Sequence, residues 1–171
     1  INAYINLGNL KRDNNNFTSA INLYERALKI NDRDPVIFYS LALAYQGLGS
    51  FDLAIDYAQK TLEIEPKFTQ ADMLISQSTK YENGNQHYKE MYLKINNLKL
   101  NDDQKINILF ALAKAEEDMN QIEKSFEHLD FGNKLKRKSL KFDINEEIEF
   151  FNNLKDIFKD FNYDKISNAN S

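Results

Sequence analysis

Apolar residues in this chain recur at i, i+3, i+4 and i+7, and alternating apolar–polar runs are absent. The pattern therefore predicts helices rather than strands. The helical segments come in pairs joined by short polar tracts. In the first half the pairs repeat every 34 residues: Leu7, Leu41 and Ile75 share the spacing, as do Gly8, Ala42 and Ser76, and Asn31, Glu65 and Lys99. A period of this length describes stacked helical hairpins, each too small to bury its apolar face without a neighbour.

The first unit, residues 1–34, carries Tyr4, Leu7 and Gly8 on one helix, a polar turn Asp13-Asn14-Asn15-Asn16, and Ala20, Tyr24 and Ala27 on a second helix starting near Phe17. The spacing sets Gly8 against Ala20, where small side chains let two helices approach closely. A Leu at Ala20 is expected to overpack. The second unit, residues 35–68, opens on Asp34-Pro35, an N-cap followed by a proline at the first helical position. Phe38, Leu41, Ala42 and Tyr45 form its inner face, Gly47 and Gly49 end the helix, Ser50 caps the next one, and Ala54 and Ala58 line the contact before Pro66. The predicted packing set is thus Leu7, Gly8, Ala20, Ala27, Leu41, Ala42 and Ala54.

The third unit, residues 69–100, is degenerate. Thr69-x-x-Asp72 reads as a capping box, and Glu82-Asn83-Gly84-Asn85 makes the turn, but Tyr88 and Ile95 stand where small residues are expected and predict splayed or shifted helices. Three extra residues precede the fourth hairpin, 101–139, whose helices start behind Asn101-x-x-Gln104 and Asn120-x-x-Glu123 and carry Leu109, Leu112, Ala113, Ser125, Leu129 and Gly132 inward. A last helix, 143–161, follows Asp143-x-x-Glu146. Its stripe of Ile148, Phe151, Leu154, Ile157 and Phe158 predicts a cap docked on the preceding hairpin. Residues 162–171 read as a frayed tail.

Asn6-Leu7-Gly8-Asn9, Ala20, Tyr24 and Ala27, then Leu41, Ala42, Tyr45, Gly49, Ala54 and Pro66, resemble tetratricopeptide repeats, with Tyr4 and Phe38 where that family usually has Trp. The resemblance implies an all-α fold: a right-handed superhelix of antiparallel helix hairpins, about nine helices here, ending in a capping helix. A narrower resemblance covers 71–158. Ala71-Asp72-Met73-Leu74-Ile75-Ser76, Thr79-Lys80-Tyr81, Phe110-Ala111-Leu112-Ala113-Lys114-Ala115, Lys124-Ser125-Phe126 and Gly132-Asn133-Lys134-Leu135 are similar to the region of bacterial repeat-containing sulfotransferases that joins the repeats to the catalytic domain. Ala113 and Glu116 depart from that pattern, and Glu116 is expected to be exposed beside a displaced helix. The resemblance implies a sulfotransferase domain in cis, downstream of Ser171. The Gly/Ser/Thr-rich phosphosulfate loop of that family does not occur in this sequence, so the chain itself is expected to be non-catalytic.

Composition narrows the classes. Two Pro and five Gly are too few for an all-β fold, and 42% hydrophobic with 28% charged residues suits a folded chain rather than a disordered one. A net charge of -4 argues against a nucleic-acid partner. No apolar run approaches the roughly 20 residues of a membrane span. With no cysteine, disulfides and thiolate metal sites are excluded, and a reducing, cytoplasmic setting is expected. The start at Ile1, without Met, reads as an excised piece of a larger protein.

Chemistry-bearing residues are sparse. His87 and His128 lie in different units without a spaced carboxylate partner and read as surface histidines. Glu116-Glu117-Asp118 and Glu146-Glu147-x-Glu149 read as solvated helix faces, and Lys134, Lys136, Arg137, Lys138 and Lys141 as cations dressing a helix C-terminus. No metal, cofactor or catalytic residue is predicted. The stronger expectation is a concave groove lined by the first helix of each unit. Asn2, Ile5, Asn6 and Asn9 form its first stripe, Val36, Tyr39, Ser40, Leu43 and Gln46 its second, and Gln70, Met73, Leu74, Gln77 and Tyr81 its third. Its amides would bind a protein or peptide backbone. A cationic clamp of the kind that grips an acidic C-terminus is not formed, because Ile5, Ser40, Gln70 and Leu74 occupy those positions and only Asn9 matches. The expected function is a protein-interaction scaffold, with a sulfotransferase arm or a self-association module as alternatives.

Overall fold

The structure, a computed structural model, describes residues 1–140 and 144–159. The described residues contain α1 (Asn2–Asp13), α2 (Phe17–Leu28), α3 (Pro35–Gly47), α4 (Phe51–Ile64), α5 (Thr69–Ser78), α6 (Gln86–Asn97), α7 (Asp102–Asp118), α8 (Ile122–Ser139) and α9 (Ile144–Phe158), and no strand. The chain divides into two compact units, Ile1–Lys136 and a second beginning at Arg137.

Local chemistry explains most boundaries. Asn15 holds φ 57 and turns the chain between α1 and α2, and the Asn16 side chain accepts from Ser19 N–H at 3.3 Å. Asp34 accepts from Val36 N–H at 2.9 Å, with Pro35 preset for the first turn. Asn101 and Gln104 form the expected reciprocal capping box, at 2.8 and 3.0 Å. Other expected caps differ. Ser50 precedes α4 without a side-chain cap bond. Thr69 is already helical, and its Oγ accepts from Asn107 at 3.1 Å instead. Asn120, at φ 59, closes the turn after α7 rather than capping α8. Asp143 and the residues beyond 159, including the expected tail, lie outside the described residues.

The core sits at the joints between hairpins. Ile5, Ala20, Ile21, Tyr24, Ala27, Ile37, Leu41 and Ala44 pack together across α1, α2 and α3. Ala42, Ala54, Ala58, Ala71, Leu74 and Ile75 do the same across α3, α4 and α5. Six of the seven predicted packing residues are buried. Leu7 is the exception, at 44% exposure. Its counterpart Leu41 packs with Ala20, Tyr24 and Ala27 of α2, whereas Leu7 is not part of that cluster. Gly8 also has a different neighbour from the one expected: a Cβ there would lie 2.4 Å from the Tyr24 ring, so the missing side chain makes room for an aromatic rather than for Ala20.

Beyond α5 the stack changes. α5 ends at Ser78 and Thr79 is extended, at φ -113 and ψ 139. α5 then makes its main contacts with α4 and α7, while α6 packs mainly on α7. This is the separation that Tyr88 and Ile95 predict: both pack with Met91 against α7. Leu129, expected inward, is 39% exposed, while Ser125 and Gly132 are buried; a Cβ on Gly132 would meet Phe110 at 2.7 Å. α9, expected as a docked cap, has no buried residue.

Gly8→Ala should destabilise the chain by about 1–3 kcal/mol through collision with Tyr24, whereas Leu7→Ala should stay within about 0.5 kcal/mol. Urea unfolding of both variants checks the contrast, and equal losses would contradict the assigned contacts.

Candidate functional site

α3 and α5 are stacked first helices, so residues three and four apart on each project to the same side. Between them lies a recess of about 180 Å³, lined by Tyr39, Leu43 and Gln46 of α3, Gln70, Met73, Leu74 and Gln77 of α5, and Asn107 of α7. Seven of the predicted groove residues, Tyr39, Leu43, Gln46, Gln70, Met73, Leu74 and Gln77, thus come together. No charged side chain lines the recess. Tyr39 leans on Phe68 with ring centroids 4.9 Å apart, and burial raises its hydroxyl pKa, so the phenol stays a neutral donor. Gln46 donates to Ser78 Oγ at 3.2 Å, which fixes one amide at the edge.

Other predicted groove residues lie elsewhere. Asn2 and Asn6 are exposed on α1 and do not line the recess. Asn9 accepts from the Tyr24 hydroxyl at 2.8 Å and so ties α1 to α2 within the first hairpin. Ile5 and Ser40 are buried, Ser40 donating to Val36 O at 2.7 Å. Tyr81 is 1% exposed, because α5 stops before it and the segment after the extended Thr79 packs its ring with Met91 and Ile108. Asn107 of α7 also lines the recess, although it is not among the expected groove residues. It follows Gln70 by 37 residues, the repeat period plus the three inserted residues, which is the signal that could have found it.

The third and fourth hairpins hold two buried carboxylates. Asp72, 0% exposed, receives the Lys94 ammonium on both oxygens at 2.7 Å and His87 Nε2 at 3.2 Å, while the other His87 nitrogen meets the Tyr81 hydroxyl at 2.6 Å. Glu116, also 0% exposed, accepts from Tyr88 at 3.1 Å and Tyr92 at 2.8 Å and pairs with His128 Nδ1 at 2.7 Å. The expectations of an exposed Glu116 and of surface histidines without acid partners are therefore corrected. The displaced α6 brings its tyrosines over Glu116 instead of opening the site to water. Asp118 accepts from Tyr81 N–H at 3.0 Å and Lys80 at 3.3 Å, and pairs with Lys114. Burial opposes its charge, but these donors outweigh it and hold its pKa below the usual carboxylate range. No buried side-chain polar atom among the described residues lacks a partner, so both networks read as structural supports.

Among the described residues no group of three or more acids and histidines could hold a metal ion, and no helix is long and apolar enough to cross a membrane. In the basic run, Lys134 pairs with Asp130 at 2.6 Å, and Lys141 lies outside the described residues.

Residues 8–49 match the family described as TPR repeat, and residues 36–68 the family described as tetratricopeptide repeat. The small glutamine-rich tetratricopeptide repeat-containing protein 2 of Mycosarcoma maydis is 36% identical over 64 residues, 37% of this chain and 18% of its own length. The chain therefore spans about a fifth of that relative. Two solved MamA structures share the fold. MamA MSR-1 C2 has a TM-score of 0.57 at 18% identity, covering 80% of this chain and 77% of its own. MamA AMB-1 P212121 has a TM-score of 0.54 at 16% identity, covering 85% and 76%. Both family matches end by residue 68, so the sulfotransferase-like reading of 71–158 gains no support from them.

Burial, followed by hydrogen bonding to Glu116, raises the Tyr92 pKa, and burial, followed by the charge of Asp72, raises that of Tyr81. An unfolded tyrosine ionises near pH ~10, while the folded phenols keep their protons. Stability should hold below that pH and fall as pH rises above it. Tyr92→Phe should flatten part of the fall while costing about 1–2 kcal/mol at neutral pH, because Glu116 loses a donor. Urea midpoints on either side of the tyrosine range measure both effects, and an unchanged alkaline slope would count against the assignment.

Proposed function

The chain carries tetratricopeptide repeats over residues 8–68, and from that premise we propose that it is a protein-interaction scaffold whose ligand, a peptide or protein segment, lies in the recess between α3 and α5. The observation that supports the reading is the chemistry of the recess: four amides, Gln46, Gln70, Gln77 and Asn107, beside Tyr39, Leu43, Met73 and Leu74. An amide both donates and accepts, so it can bond a peptide backbone whatever the side chains. Met73 is adaptable and Tyr39 is an amphipathic anchor, which suits an apolar side chain on the ligand. With no charge in the lining, an acidic or basic tail would lose its hydration without compensation, so an uncharged, partly apolar segment is favoured.

Helical-hairpin repeats are ordinarily non-catalytic, and nothing in this reading requires a reaction. A role as the recruiting arm of a sulfotransferase rests only on the residues quoted for that resemblance. The interaction reading holds with or without such a domain.

Tyr39→Ala combined with Gln77→Ala should weaken a peptide ligand, selected on a peptide array and measured by calorimetry, by about tenfold or more. The far-UV circular dichroism should stay unchanged. Asn2→Ala with Asn6→Ala, outside the recess, should bind like the wild type. If the recess variant keeps full affinity, the site is elsewhere.

A further inference from the structure

α9 belongs to the second compact unit, and none of its residues is buried. Ile144, Ile148, Phe151 and Leu154 fall on one face, which Phe150 and Ile157 widen to roughly half the circumference at about 3.6 residues per turn. Ile148, Phe150, Phe151 and Ile157 are 51, 56, 57 and 70% exposed. So wide an apolar face marks an interaction surface, because water contact with it is unfavourable.

Two charged residues interrupt this face, and their placement says what covers it. Glu147 and Lys155 lie four residues before and four residues after Phe151. Glu149 and Asp156 fall on the opposite side of the helix, and Glu146 borders the face beside Ile157. An acid and a base set symmetrically about a central aromatic make the face complementary to itself in one orientation. A two-fold axis through Phe151 stacks Phe151 on its equivalent, sets Ile148 against Leu154, and places each Glu147 beside Lys155 of the other copy. Parallel pairing would instead oppose Glu147 to Glu147 and Lys155 to Lys155, like charges inside an apolar seam.

We propose that α9 is a homotypic docking surface occupied by α9 of a second copy of this chain, bound antiparallel about Phe151. The contact is independent of the recess between α3 and α5 and does not rest on the reading given for it. A helix of 15 residues makes an interface smaller than the ~800 Å² per partner of a standard one. The dimer is therefore reversible and depends on concentration.

Sedimentation equilibrium of the full chain, from low micromolar to several hundred micromolar, tests this. The wild type should pass from monomer to dimer over that range. Glu147→Lys and Lys155→Glu should each weaken the dimer by about tenfold or more, since each substitution creates two like-charge contacts. The double variant Glu147→Lys/Lys155→Glu should recover wild-type association to within about threefold, because the pairs re-form with reversed sign. All three changes fall on exposed positions, and circular dichroism should show the helix content unchanged. A wild type that remains monomeric throughout, or a double variant no better than either single one, overturns the proposal. Association insensitive to both single changes would place the interface elsewhere and also overturn it.

Discussion

No hairpin in this chain can bury its apolar face alone, and the first two units are shaped by that constraint. Ala20, Tyr24 and Ala27 of α2 reach full burial only because Ile37, Leu41 and Ala44 of α3 close over them. Burial is worth about 25 cal/mol for each Å² of apolar surface removed from water, so each joint between hairpins adds stability that neither hairpin has alone. The contact inside the hairpin fixes which positions must be small. Gly8 has no side chain because the Tyr24 ring occupies that space, and the Tyr24 hydroxyl then reaches Asn9 across the same contact. The 34-residue period is the record in sequence of this joint being made again.

The third hairpin solves the same problem by different means. With Tyr88 and Ile95 in place of small residues, α6 cannot lie close to α5, and the interior near α7 is filled by polar groups as well as apolar ones. An unpaired buried carboxylate costs several kcal/mol. Asp72 and Glu116 are tolerated because Lys94 and His87 answer the first, while Tyr88, Tyr92 and His128 answer the second. Such bonds are directional in a way that apolar contacts are not. A slip of α6 or α8 by one turn would strand a carboxylate, so the network fixes the register of both helices against α7.

The regular part of the fold was legible because its signals are local and repeat. Hairpin spacing, the Asp34-Pro35 start and the Asn101–Gln104 box can all be read within a few residues. What escaped depends on partners distant in sequence. Leu7 and Leu41 are identical in type and position, yet only Leu41 packs into the cluster of α1, α2 and α3. Helical spacing carried one turn beyond Ser78 puts Tyr81 in the groove, but α5 ends at Ser78. Glu116 sits in an acidic run that looks solvated, and only the displacement of α6 brings two tyrosines above it. The acid partners of His87 and His128 are 15 and 12 residues away, too far for local spacing to show them. The centre of the recess was legible, since Tyr39, Leu43, Gln46, Met73 and Gln77 follow helical spacing on two regular helices. Its far wall was not.

That far wall shows how the irregularity contributes to the proposed site. In a regular stack the helix next to α5 within its own unit would be α6. Here α6 stands away, α7 packs directly on α5, and Asn107 reaches the recess beside Gln70 while its amide nitrogen bonds Thr69 at 3.1 Å. The same displacement that demanded buried ion pairs therefore adds a fourth amide to an uncharged surface. Lys94 and Asp72 neutralise each other inside the hairpin, so their charge stays out of the lining, and the recess remains suited to a ligand recognised through its backbone. The departure from the period is thus part of what gives the recess its chemistry.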